Sequence, residues 1–150
     1  MTRDENDKGI PIQTSGGIRY VNKNDIIRFP EGLLGFRDAK EYAFFDINDC
    51  EPFKSMLSVK ENGPDFVVVE TRTIIGDYSP LDSLSSFEQV DLGSPMELVV
   101  LSIVTLSEKP EDITINLRAP LLVNLATSQG KQVILDDERY QTRHNIYATV

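Results

Sequence analysis

Cysteine, histidine and tryptophan are nearly absent from this sequence of 150 residues, which contains one cysteine, one histidine and no tryptophan. The single cysteine, Cys50, has no second cysteine to pair with, so an internal disulfide is excluded. One cysteine and one histidine also cannot form the Cys/His cluster of a structural zinc site. Apolar runs approaching about 18 residues are missing, which excludes a transmembrane helix, and residues 1–8 lack the apolar stretch of a signal peptide. We therefore expect a soluble, cytoplasmic protein with one domain.

Basic residues are outnumbered, because 15 lysines and arginines stand against 24 aspartates and glutamates, a net charge of −9. At long range this charge repels phosphate backbones and anionic membranes, so we expect neither nucleic acid nor a membrane as a direct partner. A basic protein would be attracted, although net charge also keeps a protein soluble without any partner. The acidic residues cluster in three places: Asp46/Asp49/Glu51, Glu108/Glu111/Asp112 and Asp136-Asp137-Glu138.

Short apolar runs rich in Val, Ile, Leu and Phe recur along the chain and are separated by turn residues. This pattern favours an antiparallel all-β domain over alternating strands and helices. Because closing such strands into a ring removes exposed edges, we predict a small, mostly antiparallel, partly closed β-barrel with one or two short helical segments. The predicted strands are Ile10–Thr14, Gly17–Val21, Ile26–Phe29, Tyr42–Ile47, Lys54–Lys60, Phe66–Glu70, Glu97–Leu106, Ile113–Leu117, Leu121–Ala126 and Gln132–Leu135.

Local signals refine this prediction. Glu97–Leu106 is almost continuously apolar, so we expect a central strand that is covered on both faces. We predict one helix that begins at Ser85, which has an acidic residue three positions later as in a capping box, and that ends before Gly93. A start at Ser79-Pro80 is the alternative; we prefer the later start, with Tyr78–Leu84 mainly extended.

Residues suited to catalysis are scarce. Nucleophilic catalysis needs a base beside the nucleophile, and we expect His144, in a polar C-terminal segment, to be solvated. Cys50 lies between Asp49 and Glu51, whose carboxylates oppose formation of a thiolate. The two glycines of residues 32–35 lack the spacing of a phosphate-binding loop. We therefore expect no metal, no cofactor and no catalytic centre, and we interpret the chain as a binding protein.

Two other classes of protein stay open on the residues alone. A small acidic β-barrel enzyme acting on carbohydrate would need two carboxylates in one apolar cleft, with Asp136, Asp137 or Glu111 as candidates. A ligand-carrying barrel would need a large enclosed apolar cavity. A structure discriminates between these classes by the presence or absence of such a cleft or cavity.

Two stretches have sequences that are more specific than the general pattern of a β-protein. Residues 27–36 read IRFPEGLLGF, residues 114–124 read TINLRAPLLVN, and KQVIL follows at 131–135. They resemble the Phe-Pro-x-Gly-Leu-x-Gly-Phe, Thr-x-Asn-Leu-x-Ala-Pro and Gly-Lys-Gln-Val-Ile-Leu elements of the bacterial flagellar assembly factor FliW family. The resemblance extends over residues 10–144. The chain departs from the family at Met56-Leu57-Ser58, where Leu-Gln-Ser is usual, and at Glu70-Thr71-Arg72, where an Asx-Pro turn is common.

The resemblance implies a non-enzymatic, FliW-like β-barrel domain at residues 10–140, between a flexible N-terminal tail at 1–9 and a C-terminal tail at 141–150. It also implies two mutually exclusive partners, flagellin and the small RNA-binding translational repressor CsrA. The resemblance further implies that the factor, when free of flagellin, binds CsrA and relieves repression of flagellin mRNA translation. We expect the protein to act as a monomer.

Candidate partner-binding residues follow from these motifs and from the acidic clusters. We expect the turn at Asp136-Asp137-Glu138 to face the repressor, and Phe36 with the Asn116–Asn124 corner to lie near a groove for an amphipathic flagellin helix. We also expect Leu33, Leu34 and Phe36 to point inward and close one end of the barrel. The full set of candidates is Phe36, Asp77, Tyr78, Asn116, Pro120, Asn124, Asp136, Asp137 and Glu138.

Overall fold

A computed structural model describes residues 9–83 and 91–150. Within these residues the strands are β1 (Ile10–Thr14), β2 (Gly17–Val21), β3 (Ile27–Arg28), β4 (Glu41–Asp46), β5 (Lys54–Ser58), β6 (Asp65–Glu70), β7 (Leu98–Thr105), β8 (Thr114–Ile115), β9 (Leu121–Asn124), β10 (Gln129–Gln132) and β11 (His144–Asn145). One short helix, α1, covers Thr71–Ile74, and single 3₁₀ turns cover Lys23–Asp25, Pro80–Ser83, Pro95–Glu97 and Pro110–Asp112.

Seven strands form a closed ring in the order β7-β6-β5-β4-β3-β10-β9, because β9 pairs back onto β7. The neighbours are antiparallel except β3 and β10, which are joined in parallel at Arg28 and Gln129. The first half of β7 pairs with β9 and its last two residues pair with β8, so one long strand holds both. The predicted all-β barrel is confirmed, and the prediction that β7 is central is confirmed as well.

Strand alternation separates the residues inside the ring from those outside it. On β4 to β7 and β9, the apolar side chains at alternate positions join one cluster inside the ring, as the two-residue period of a strand requires. The inner cluster contains Ile27, Phe29, Tyr42, Met56, Val68, Leu101, Leu121 and Val123. The interior of the closed ring is therefore apolar.

Two further apolar clusters cover the outer surface of the ring. The hairpin β1–β2 packs through Ile12 onto Ala43 and its neighbours on β4 and β5. On the opposite side, Tyr78, Leu135 and Tyr140 pack over the outward residues of β6, β7 and β9. The strands of the ring are therefore buried on both faces, which explains why every residue of β9 is buried.

The second strand of the last hairpin lies earlier in the sequence than predicted. We predicted a strand at Gln132–Leu135, but the strand covers Gln129–Gln132, so that Gly130 pairs with Val123. The side-chain oxygen of Asn124 accepts hydrogen bonds from the N–H groups two and three residues later, at 3.0 and 3.3 Å, and this tightens the turn. The predicted bounds were wrong because the regular strand ends at Gln132. The N–H groups of Val133 and Leu135 still donate to the carbonyl oxygens of Pro120 and Arg118, at 3.1 and 2.8 Å, while their side chains pack in the outer cluster.

The helical predictions also needed correction. The prediction of a mainly extended Tyr78–Leu84 was wrong, because Pro80–Ser83 forms a 3₁₀ turn in which proline supplies a preset φ; Leu84 lies outside the described residues. The helix α1 was not predicted; its first residue, Thr71, is buried and its hydroxyl lies 2.7 Å from that of Ser102. Most of the helix predicted from Ser85 lies outside the described residues.

The prediction of a solvated histidine was wrong. His144 is buried, pairs with Ile115 between β11 and β8, and places Nε2 2.8 Å from the carbonyl oxygen of Ala148. Part of the segment expected as a C-terminal tail thus belongs to the sheet, while residues 1–8 of the expected N-terminal tail lie outside the described residues.

Two tyrosines are almost fully buried but have different hydrogen bonding. The Tyr78 hydroxyl donates to the carbonyl oxygen of Leu117, whereas the Tyr42 hydroxyl has no partner among the described residues. Burial raises the pKa of Tyr42 to about 12. The pKa of Tyr78 is raised mainly by burial and to a smaller extent by the neighbouring Tyr140.

We expect opposite effects from removing these two hydroxyl groups. Tyr78→Phe should lower the free energy of unfolding by about 1–2 kcal/mol, because it leaves the buried Leu117 carbonyl without its donor. Tyr42→Phe should leave stability unchanged or raise it by about 1 kcal/mol, because it removes a buried hydroxyl that has no partner. Urea unfolding of both variants measures the difference, and an equal loss in the two variants would contradict the hydrogen-bond assignment.

Candidate protein-binding surfaces

One end of the ring is open and contains a cavity of about 460 Å³, within the size range of ligand pockets in proteins. We call this end the barrel mouth. Its apolar walls are Ile27, Phe44, Val68, Val69, Val99, Leu101 and Val123, and its rim is formed by Asn24, Asp25, Lys54, Glu70, Leu125 and Ser128. All the wall residues except Val69 belong to the inner apolar cluster, so the cavity is a continuation of that cluster towards solvent.

Large apolar side chains remain exposed beside this opening. Leu125, directly after β9, is 63% exposed and lines the cavity. Met96, just before β7, is 95% exposed, and it lies at the same end because Leu98 pairs with Asn124. An apolar cavity with exposed apolar neighbours is typical of a surface that binds another molecule.

The opposite end of the ring is closed by the loop between β3 and β4. Leu33 is buried in the inner cluster, and Phe36 packs edge-on against Phe66 at the start of β6, with ring centroids 5.5 Å apart. Leu34 and Phe36 are nevertheless 43% and 44% exposed, so only Leu33 points inward as predicted. The loop needs glycine at residue 32, because its φ is +68° and a Cβ there would lie 2.5 Å from the backbone of Arg37.

The Asn116–Asn124 corner is structural at both of its ends. Asn116 Oδ1 accepts hydrogen bonds from the N–H groups of Arg118 and Ala119 at 3.1 and 2.9 Å. Asn124 is buried, and its Nδ2 donates to the Leu92 carbonyl oxygen at 2.8 Å. Pro120 is buried between them. These asparagines satisfy backbone groups in turns, and the buried Asn124 and Pro120 present little surface to a partner.

Phe36 and Asn124 lie at opposite ends of the barrel, which corrects the expectation that they share one groove. The amide of Gln132 connects the Phe36 loop to the near end of the corner: its Oε1 accepts from Leu34 N at 2.8 Å and its Nε2 donates to the Ala119 carbonyl oxygen at 3.1 Å. The far end of the corner, at Asn124, continues into the rim of the barrel mouth.

The remaining candidates lie on the outer surface. Tyr78 is buried and Asp77 is exposed. In the acidic turn, Asp136 and Glu138 are exposed, but the Asp137 side chain is only 17% exposed and is paired with Arg139 at 2.7 Å. The hydroxyl of Ser83 donates to the same carboxylate at 2.7 Å. The hydrogen bond from Arg139, and to a smaller extent that from Ser83, holds the pKa of Asp137 well below its usual range.

The sequence analysis missed the residues of the barrel mouth. The mouth brings together side chains from six strands and two turns that are far apart in the sequence. Each wall residue by itself has the pattern of an ordinary buried strand position. The one available signal was Leu125, an apolar residue next to the turn after β9, at a position where a polar residue is usual.

The fold and the site together define a class: a small closed β-barrel with an apolar cavity at one open end. A family model described as FliW protein matches residues 12–146. A flagellar assembly factor FliW from Clostridium botulinum (strain Alaska E43 / Type E3) is 36% identical over 129 residues, which cover 86% of this chain and 91% of that protein. One from Leptospira biflexa is 34% identical over 131 residues, 87% of this chain and 86% of that protein.

A solved structure agrees with these sequence matches. The crystal structure of a flagellar assembly factor FliW superimposes with a TM-score of 0.80 at 28% identity and covers 92% of this chain and 97% of that one. The chain belongs to the FliW family of flagellar assembly factors. Within the described residues, no helix is long and apolar enough to cross a membrane.

The Asp137 ion pair generates a pH-dependent prediction. Because the folded-state pKa of Asp137 is lowered, its ionised form stabilises the fold above the unfolded-state pKa of about 4, and this stabilisation decreases as the pH falls below that value. Asp137→Asn should therefore unfold at a lower urea concentration than the wild type at pH 7, and the difference should shrink towards pH 3. Asp136→Asn, at an exposed position, is the control and should change little. A difference that is constant with pH would contradict the assignment.

Proposed function

We propose that this protein is a non-enzymatic, cytoplasmic assembly factor that binds flagellin and, when free of flagellin, binds CsrA and relieves repression of flagellin mRNA translation. Membership of the FliW family supports the assembly function. The barrel mouth supports flagellin binding, because an apolar cavity with exposed apolar neighbours suits the apolar face of an amphipathic helix. This cavity is the observation that carries the proposal.

The acidic surface supports the CsrA part of the proposal. A net charge of −9 attracts a basic RNA-binding protein and weakens the local attraction of that protein for phosphate. Since Asp137 is paired with Arg139, the carboxylates of Asp136 and Glu138 are the ones in this turn that a basic partner can reach. The repressor therefore binds through the acidic turn, away from the barrel mouth.

A binding role without catalysis also agrees with the electrostatics of the acidic turn. A carboxylic acid that donates a proton near neutral pH needs a raised pKa, whereas the pKa of Asp137 is lowered by Arg139 and Ser83. The protein acts as a monomer, since the outward faces of the ring are covered by its own β1–β2 hairpin and C-terminal segments.

A charge placed at the barrel mouth should weaken flagellin binding. Leu125→Asp should raise the Kd for purified flagellin about tenfold or more, because it puts a carboxylate beside the apolar cavity. Isothermal titration calorimetry measures the affinity, and a thermal unfolding curve checks that the variant is folded.

The matched control for this experiment is Leu106→Asp. Leu106 is 56% exposed, close to the 63% of Leu125, but it follows the other end of β7. Its Kd should stay within about twofold of the wild type. An equal effect of the two variants, or none from either, would contradict flagellin binding at the barrel mouth.

Reversing charges in the acidic turn should weaken CsrA binding. We expect Asp136→Lys/Glu138→Lys to slow association with purified CsrA at low salt, because long-range attraction mainly raises the association rate. Glu108→Lys/Asp112→Lys changes the net charge equally at another exposed acidic cluster and is the control. Surface plasmon resonance at two salt concentrations measures the rates, and unchanged association of the first variant at low salt would reject this part of the proposal.

A further inference from the structure

The rim of the barrel mouth carries two carboxylates on opposite sides of the cavity. Asp25 lies two residues before β3, and Glu70 ends β6. Three steps of strand pairing separate β3 from β6 around the seven-strand ring. Both residues are exposed, and neither carboxylate has an ion-pair partner among the described residues. The mouth therefore has an apolar centre between two free negative charges.

The cation at the rim is already paired. Lys54 lines the cavity, but its Nζ lies 3.4 Å from the carboxylate of Asp46 on the neighbouring strand. Lys54 therefore adds little positive charge for an incoming ligand, and Asp25 and Glu70 determine the sign of the rim.

The closed ring also limits the conformation of a bound segment. In the ring, β9 pairs back onto β7, so a ligand at the mouth meets the ends of strands and not a free strand edge. A peptide in extended conformation needs such an edge for its backbone hydrogen bonds. A helix satisfies its own backbone groups and can insert one apolar side chain into the cavity while its neighbouring turns lie over the rim.

We propose that the barrel mouth recognises an amphipathic helix whose large apolar side chain enters the cavity and whose lysine or arginine side chains, one turn before and after it, pair with Asp25 and Glu70. We call the large apolar side chain the anchor. Side chains three or four residues apart lie on one face of a helix, so the anchor and its basic neighbours reach the mouth together. The inference rests on the proposed function in taking a protein segment as the ligand of the mouth. It adds that charge on either side of the anchor decides which segments bind.

The test uses two synthetic helical peptides of about 18 residues, long enough to form a helix in water. They are identical except for the residues one turn before and one turn after a central phenylalanine, which are lysine in one peptide and glutamate in the other. At low salt the wild type should bind the lysine peptide at least about fivefold more tightly. Fluorescence anisotropy measures both affinities.

Charge reversal at the rim should reverse the preference. The double variant Asp25→Lys/Glu70→Lys should bind the glutamate peptide more tightly than the lysine peptide. The control double variant Asp38→Lys/Asp65→Lys should keep the wild-type preference for the lysine peptide. The control residues are also exposed, and Asp65 lies at the opposite end of β6 from Glu70. Leu125→Asp should weaken binding of both peptides, because it disturbs the apolar centre.

The outcomes separate this inference from the proposed function. Equal binding of the two peptides, no binding of either, or a preference that persists in the rim variant would overturn the inference. If flagellin binds at the mouth while the peptides show no charge preference, the proposed function stands and the inference falls. If the peptides behave as expected and flagellin does not bind, the inference stands and the proposed function falls.

Discussion

The pairing of β9 with β7 is the constraint on which the rest of this structure depends. Four residue pairs, from Leu98 with Asn124 to Leu101 with Leu121, convert the sheet into a ring. Closure gives Leu121 and Val123 a place in the inner cluster and gives Leu122 a place in the outer one. It also removes the free edges that β7 and β9 would otherwise present to other chains.

The two ends of the closed ring differ, since one is covered by side chains and the other is open. At one end, Leu33 fills the interior and Phe36 covers Phe66. At the other end the inward apolar side chains leave a cavity that Phe44 and Val99 line, and polar and charged residues such as Lys54 and Glu70 surround its opening. The function proposed for the protein follows from this asymmetry, because the open end can bury apolar surface of a partner without any rearrangement of the ring.

Much of the fold could be predicted from the sequence, because strands and tight turns are local patterns. The hairpin β1–β2 has the predicted boundaries. The shift of β10 depends on the side chain of Asn124, and the burial of His144 depends on pairing with a distant strand. The barrel mouth could not be predicted, because strand register decides which side chains meet there.

Methyl NMR of the protein during titration with purified flagellin tests the central claim most directly. If the open end binds the partner, the methyl signals of Val99, Val123 and Leu125 should shift or broaden. The signals of Leu34 and Leu106, exposed away from the mouth, should stay unchanged. Changes confined to Leu34 and Leu106, with the signals of the mouth unaffected, would contradict the account.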